Sequence, residues 1–292
     1  MTHRRAVFTM IAVTLMWSIA GVVTRHLEAA RSFEVTFWRS AFTVVALSIL
    51  LPALRGREAL ARSFREGGRT LWISGLCWSV MFTAFMVALM MTTVANVLVT
   101  LAIAPLLTAL VARFFLGHRL ATRTWVAIVV AGIGIAWMYA REVSGAGAQH
   151  VLGTAVALAV PMAAAVNWTV IQHNRSAADI DLLPAVLIGA VISAALTLPL
   201  ALPLTASAND LGLLALLGVV QLSIPCLMAV SVARHLSAPE ASLLALLEVV
   251  FGVAWAWLGA NEAPAVHVLG GGALVLIALA SNEAIALRQT KV

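Results

Sequence analysis

The chain is built from apolar runs about as long as a bilayer is thick, joined by short polar connections. A helix rises 1.5 Å per residue, so roughly 20 apolar residues cross the ~30 Å hydrocarbon layer. Ten stretches meet that length: 6–25, 33–53, 70–91, 94–115, 122–140, 151–172, 183–204, 211–233, 240–259 and 266–287. Lipid offers no partner for backbone N–H and C=O groups, so each run is expected to be helical. Composition agrees, with 62% hydrophobic and 10% charged residues, against about 45–50% and 25% in soluble domains. The expected fold class is an all-α integral membrane protein with ten transmembrane helices.

The first run begins after Met1-Thr-His-Arg-Arg5 and passes Ser18-Ile-Ala20, which imitates a cleavable leader. It continues through Gly21-Val-Val, too long for a leader's apolar region, and is read as a span. Orientation follows from the basic residues. With the N-terminus inside, one side holds Arg4, Arg5, Arg55, Arg57, Arg62, Arg65, Arg69, Arg113, Arg119, Arg123, Arg175, Arg234, Arg288 and Lys291. The other side holds only Arg25, Arg31 and Arg141. That asymmetry places both termini in the cytoplasm of a multi-pass protein, in the inner membrane if the source is bacterial.

The run Val94–Thr108 carries Asn96, Thr100, Ala104 and Thr108 at four-residue steps, a small and polar stripe on one helical face. Such a stripe must meet protein or a wet cavity, and it is read as one wall of a central pathway. Two halves also echo each other. Val87-Ala-Leu-Met-Met-Thr-Thr93 lines up with Val232-Ala-Arg-His-Leu-Ser-Ala238, and Trp17-Ser-Ile with Trp168-Thr-Val. Five spans per half is odd, so halves 1–141 and 150–288, linked around 141–149, would sit inverted. Inverted repeats place a solute site at the midplane between halves, around a central cavity.

Several chemistries find no support. The basic residues lie in short loops facing headgroups, without the basic-aromatic patch that holds nucleic acid. Cys77 and Cys226 lie inside apolar runs and read as core residues. His118, His173 and His235 lack metal-ligand spacing, and no catalytic or nucleotide motif is present. No metal, no cofactor and no catalytic group is expected, and the expected partners are lipid and a small-molecule solute.

Leu15-Met-Trp17-Ser, Phe37-Trp-Arg39-Ser-Ala-Phe, Ala104-Pro105-Leu-Leu-Thr108 with Leu116-Gly-His118, and Leu247-Glu248-Val with Asn261-Glu262 carry a family likeness. On these the chain resembles the ten-span EamA-type members of the drug/metabolite transporter superfamily. The family pattern closes the fourth and ninth spans with Glu-Pro and then Gly-Glu. This chain keeps Pro105 without its Glu, and Glu248 and Glu262 without their Pro and Gly; His118 replaces one turn Glu. The resemblance implies an inner-membrane exporter of amino acids or related metabolites, closest to the aromatic and neutral amino-acid exporters of the YddG type. An intramembrane enzyme acting on lipids or lipid-linked sugars, or a carrier of other metabolites or drugs, stands as the alternative.

The candidate substrate-binding residues are Trp17, Trp78, Asn96, Thr100, Trp168, Gln221 and Glu248. Glu248 is ionisable within a span, which marks either a proton-coupling or ammonium-binding group, or a protonated carboxyl bonded to a neighbouring helix. Indole faces hold cations or apolar side chains, and equally fill helix contacts. Asn96, Asn167 and Gln221 offer donors and acceptors, or serve as helix–helix ties. Arg39, near the start of the second span, is expected to snorkel to the headgroups with Glu34 as partner; a fixed charge for a carboxylate is the alternative. Trp72, Trp125, Trp137 and Trp257 suit the membrane interface. Pro161 and Pro225 should kink their spans. Gly132, Gly134 and Gly270–Gly272 suit close packing, within the chain or between copies in a homodimer.

Overall fold

A computed structural model describes residues 2–116, 121–143, 148–174, 181–232 and 244–290. Among these there are helices and no strands. Seven helical stretches are long and apolar enough to cross a membrane, and three shorter apolar helices, Thr122–Trp137, Leu247–Ala260 and Val266–Asn282, accompany them. Their outward side chains, including Phe8, Val45, Leu76, Phe114, Ile133 and Leu258, are exposed, as a lipid-facing surface requires.

The helices follow the hydropathy pattern with breaks at identifiable residues. α1 (His3–Ser18) and α2 (Ala20–Thr24) form one span broken at Ile19. α3 (Ser32–Arg55) is continuous. The Arg-rich connection at 54–69 is itself largely helical, α4 (Arg57–Glu66), with its arginines exposed and Leu60 packed against the core. The span-length count passes over it because it is amphipathic and short. α5 (Gly68–Met91) turns through Thr92 and Thr93 into α6 (Val94–Leu101), the tight hairpin expected there. α7 (Ala104–Leu116) restarts one residue before Pro105, whose missing N–H is harmless in a first turn.

α8 (Thr122–Val143) is followed by α9 (Ala148–Ala157) and α10 (Ala159–Asn174). Pro161 stands just after the break between them. α11 (Leu183–Ala201) follows. α12 (Ala208–Leu216) continues through a π-helical turn, Leu217–Ser223, into α13 (Ile224–Val232). Pro225 sits at the join, so both prolines mark the interruptions expected of them. α14 (Leu247–Ala260) and α15 (Val266–Thr290) complete the chain.

The packing has a regular form. α3 packs on α11, α6 on α14 and α8 on α15; α5 meets α11 as α3 meets the α12–π segment, and α5 meets α10 as α1 meets α13. These helix contacts therefore fall in matched pairs along the chain. Small residues bring the backbones close: a Cβ on Gly134 would stand 2.7 Å from the Gly271 carbonyl, and one on Gly189 only 2.4 Å from the Trp78 Cβ. Gly134, Gly270 and Gly271 thus pack α8 on α15, as their spacing suggested, whereas Gly132 faces outward into open space. Hydroxyls add ties, with Ser193 of α11 bonded to Ser40 of α3 and Thr83 of α5 at 3.0 and 2.9 Å.

Candidate functional site

The polar centre of the bundle is assembled around Arg39. Two full turns into α3, it is only 2% exposed. Its Nε and Nη2 donate to Oε1 of Gln221 at 3.3 and 3.0 Å. Phe82 and Phe85, three residues apart on one face of α5, place ring centroids 5.8 and 5.7 Å from the guanidinium carbon. Snorkelling to the headgroups is thus overturned. The expected partner is overturned too: Glu34 accepts from the backbone of Thr205 and Ala206 and from the Thr205 hydroxyl, all within 2.9 Å. Residues five apart lie about 140° around a helix, so Glu34 and Arg39 point to different neighbours.

Local backbone irregularity is what brings Gln221 to this place. The π turn widens the helix at its position, a feature often found at functional sites. Gly218 lets that turn press against α3, for a Cβ there would meet the Arg39 carbonyl and the Phe42 Cβ at 2.7 Å each. Thr43 clamps the contact by donating to the carbonyls of Arg39 and Gly218 at 2.8 and 3.1 Å. Gln221 Nε2 in turn donates to the Trp17 carbonyl at 3.1 Å, beside the break at Ile19 between α1 and α2. Three spans meet through one amide.

Cys226, one turn beyond the π segment, is buried in the cluster that contains Phe82 and against which Trp17 packs. Glu248, second residue of α14, is half-buried and has no hydrogen bond among the described residues. Seven residues on, Trp255 donates to the Ser18 hydroxyl at 3.1 Å, so this face of α14 lies along the end of α1. Trp17 and Gln221 are therefore brought together with Arg39, which the sequence reading had set at the rim, while Glu248 stands on the adjoining α14.

Of the remaining candidates, Asn96 and Thr100 lie apart from that centre. Asn96 and Thr100 are fully buried near the α5–α6 hairpin, where Asn96 Nδ2 donates to Thr92 Oγ1 at 3.1 Å and Thr100 donates to the Asn96 carbonyl at 2.7 Å. Thr154 of α9 also donates to Thr92. Trp78 is packed between α5 and α11, its ring 5.4 Å from that of Phe82, so it borders the Arg39 site. The Trp168 side chain lies outside the described residues, as do those of Glu283 and His173 and the whole of His118 and His235. Its neighbour Asn167 is fully buried with both amide atoms unpartnered among the described residues.

One end of the bundle is tied by charge. Arg25 Nε donates to Glu262 Oε2 at 2.6 Å, while its Nη1 and Nη2 donate to the Leu89 and Thr92 carbonyls at 2.6 and 2.8 Å. Glu262 Oε1 accepts from the Val94 backbone N–H at 2.6 Å. The α2 end, the α5–α6 hairpin and the α14–α15 turn are thereby joined. Asp210, fully buried, accepts from the N–H groups of Glu28, Ala29 and Ala30 at 2.8 to 2.9 Å and fixes the α2–α3 loop to α12. A surface pocket lined by Leu51, Leu54, Arg55, Leu183 and Leu227 opens at the other end, roughly 18 Å along α3 from Arg39. Its lining is aliphatic apart from Arg55, so it carries none of this chemistry.

Comparisons with known proteins agree with this architecture. Residues 4–140 match the EamA-like transporter family. The pseudopaline exporter CntI of Pseudomonas aeruginosa is 24% identical over 300 residues, spanning 98% of this chain and 95% of that protein. A crystal structure of another protein superposes with a TM-score of 0.68 at 17% identity, covering 98% of this chain and 99% of that one, and shares the fold. The first half of the chain, residues 4–140, matches EamA-like transporters, and together with the full-length likeness to an exporter this supports an EamA-type, multi-pass membrane transporter of the drug/metabolite transporter superfamily.

Proposed function

We propose that this transporter is a ten-span inner-membrane carrier that exports small amphipathic metabolites, with neutral and aromatic amino acids as its class. Two inverted halves, 1–141 and 150–288, rock about one central site. The observation that carries the reading is the buried Arg39–Gln221–Trp17 junction, where polar groups from three apolar spans converge. Ionisable groups at such depth are costly and are kept for solute or ion pathways. The matched pairs of helix contacts support inverted halves, and full-length likeness to an exporter supports the direction of flux. With both termini in the cytoplasm, the Arg25–Glu262 tie falls on the outer face and holds it closed. Glu248 binds a substrate ammonium or couples a proton, and Trp17, Trp78, Trp168 and Asn167 shape the space for the side chain. Asn96 and Thr100 then serve the hairpin that opens and closes.

The test is a proteoliposome uptake screen of the twenty amino acids, with and without a pH gradient. Saturable uptake of neutral or aromatic amino acids supports the proposal. Recovery of a chemically altered solute would favour an enzyme, and uptake confined to unrelated solutes would remove the amino-acid assignment.

A further inference from the structure

Resting on that carrier reading, the surroundings of Arg39 point to a specific part of the substrate. A guanidinium has five N–H donors and no acceptor. Here Nε and Nη2 share a single neutral oxygen of Gln221, while buried Nη1 has no hydrogen-bond partner among the described residues. The faces of Phe82 and Phe85 soften the cation without neutralising it. Glu34, the acid nearest in sequence, is committed to the 205–206 backbone. A buried, unpaired arginine costs several kcal/mol unless an anion completes it, and each unsatisfied buried donor calls for an explanation.

Two further features narrow the anion. Gln221 is itself pinned by the Trp17 carbonyl, so the guanidinium is held in a fixed plane with one edge uncommitted, suited to a planar carboxylate. Glu248 is half-buried on α14, the helix that Trp255 ties to Ser18, next to the Trp17 carbonyl that holds Gln221. A solute entering between one fixed cation and one acid balances both if it is a zwitterion, whereas a dianionic phosphate leaves excess negative charge. We propose that Arg39 is the specificity-determining anchor for the substrate's carboxylate.

The experiment uses the intact protein in proteoliposomes and three probes: leucine, leucinamide and isoamylamine, which differ only at the carboxyl group. The expected result is wild-type leucine flux at least about tenfold above either analogue, as loss of one charge-assisted bond implies. Arg39→Gln should cut leucine flux by a similar factor and leave analogue flux little changed. Arg39→Lys should fall between, keeping charge but losing the fork. Equal wild-type flux of acid and amide would overturn the anchor while the carrier reading stands, and this comparison decides the matter even if the variants misfold. An equal loss for all three probes in well-folded Arg39→Gln would overturn it in favour of a structural role. If the wild type carries none of these probes but moves other solutes lacking a carboxylate, the anchor again falls alone. No flux of any solute would remove the carrier reading, and the anchor with it.

Discussion

Replacing Glu262 with alanine should open the end of the bundle that the structure shows tied. The carboxylate accepts two short charge-assisted hydrogen bonds, from Arg25 Nε and from the Val94 N–H, both at 2.6 Å. Its side chain is 19% exposed and that of Arg25 is 25% exposed, so solvent screens the pair only in part. At 1.5–3 kcal/mol per charged bond, discounted for that exposure, the tie contributes about 2–3 kcal/mol. If it exists only when the outer face is closed, losing it raises the open-to-closed ratio roughly 30- to 140-fold. Cys226 is a native reporter, since it is buried beside the central site. In a Cys77→Ser background, a membrane-impermeant thiol reagent added outside should label Cys226 faster by at least an order of magnitude in Glu262→Ala. An unchanged labelling rate in a protein that still melts cooperatively would refute the assignment of this tie as a closure.

Other outcomes follow from the same contacts. Asp210→Ala leaves three loop N–H groups without their acceptor and should destabilise the protein by about 3–5 kcal/mol, read as a lower midpoint in a detergent melt. Gly218→Ala forces a Cβ into the Arg39 carbonyl; it should cost about 1–3 kcal/mol and reduce flux more than the neighbouring Val219→Ala, measured side by side in proteoliposomes. Glu248→Gln and Trp168→Ala should each lower flux while the melting midpoint stays near wild type. Wild-type rates in both would remove them from the site.

The sequence made the spans legible because hydrocarbon imposes a length and a composition that no local detail can hide. The Met91–Val94 hairpin and the breaks near Pro105, Pro161 and Pro225 were readable for a related reason, since proline and polar turns act locally. Arg39 was not. Its depth could be counted along α3, but its partner Gln221 lies 182 residues away on a π turn, and no periodicity announces such a turn. Nearness in sequence suggested Glu34, although a five-residue step puts the two on different faces. The hydrophilic stripe of α6 shows the opposite case. Asn96 and Thr100 do share a buried face as their spacing required, yet the bonds from Asn96 to Thr92 and from Thr100 to the Asn96 carbonyl are local ones. Spacing fixes which residues share a face, while the element that comes to cover that face is set by tertiary packing.

The account rests on a single site that is reached from each side of the membrane in turn, and transient counterflow tests this most directly. Proteoliposomes loaded with unlabelled leucine are diluted into a trace of labelled leucine, with no ion gradient. The account predicts that label accumulates inside above its equilibrium level and then decays, because the loaded site returns in exchange. Monotonic equilibration without an overshoot, from wild-type protein that carries leucine, would contradict alternating access and point to an open pore.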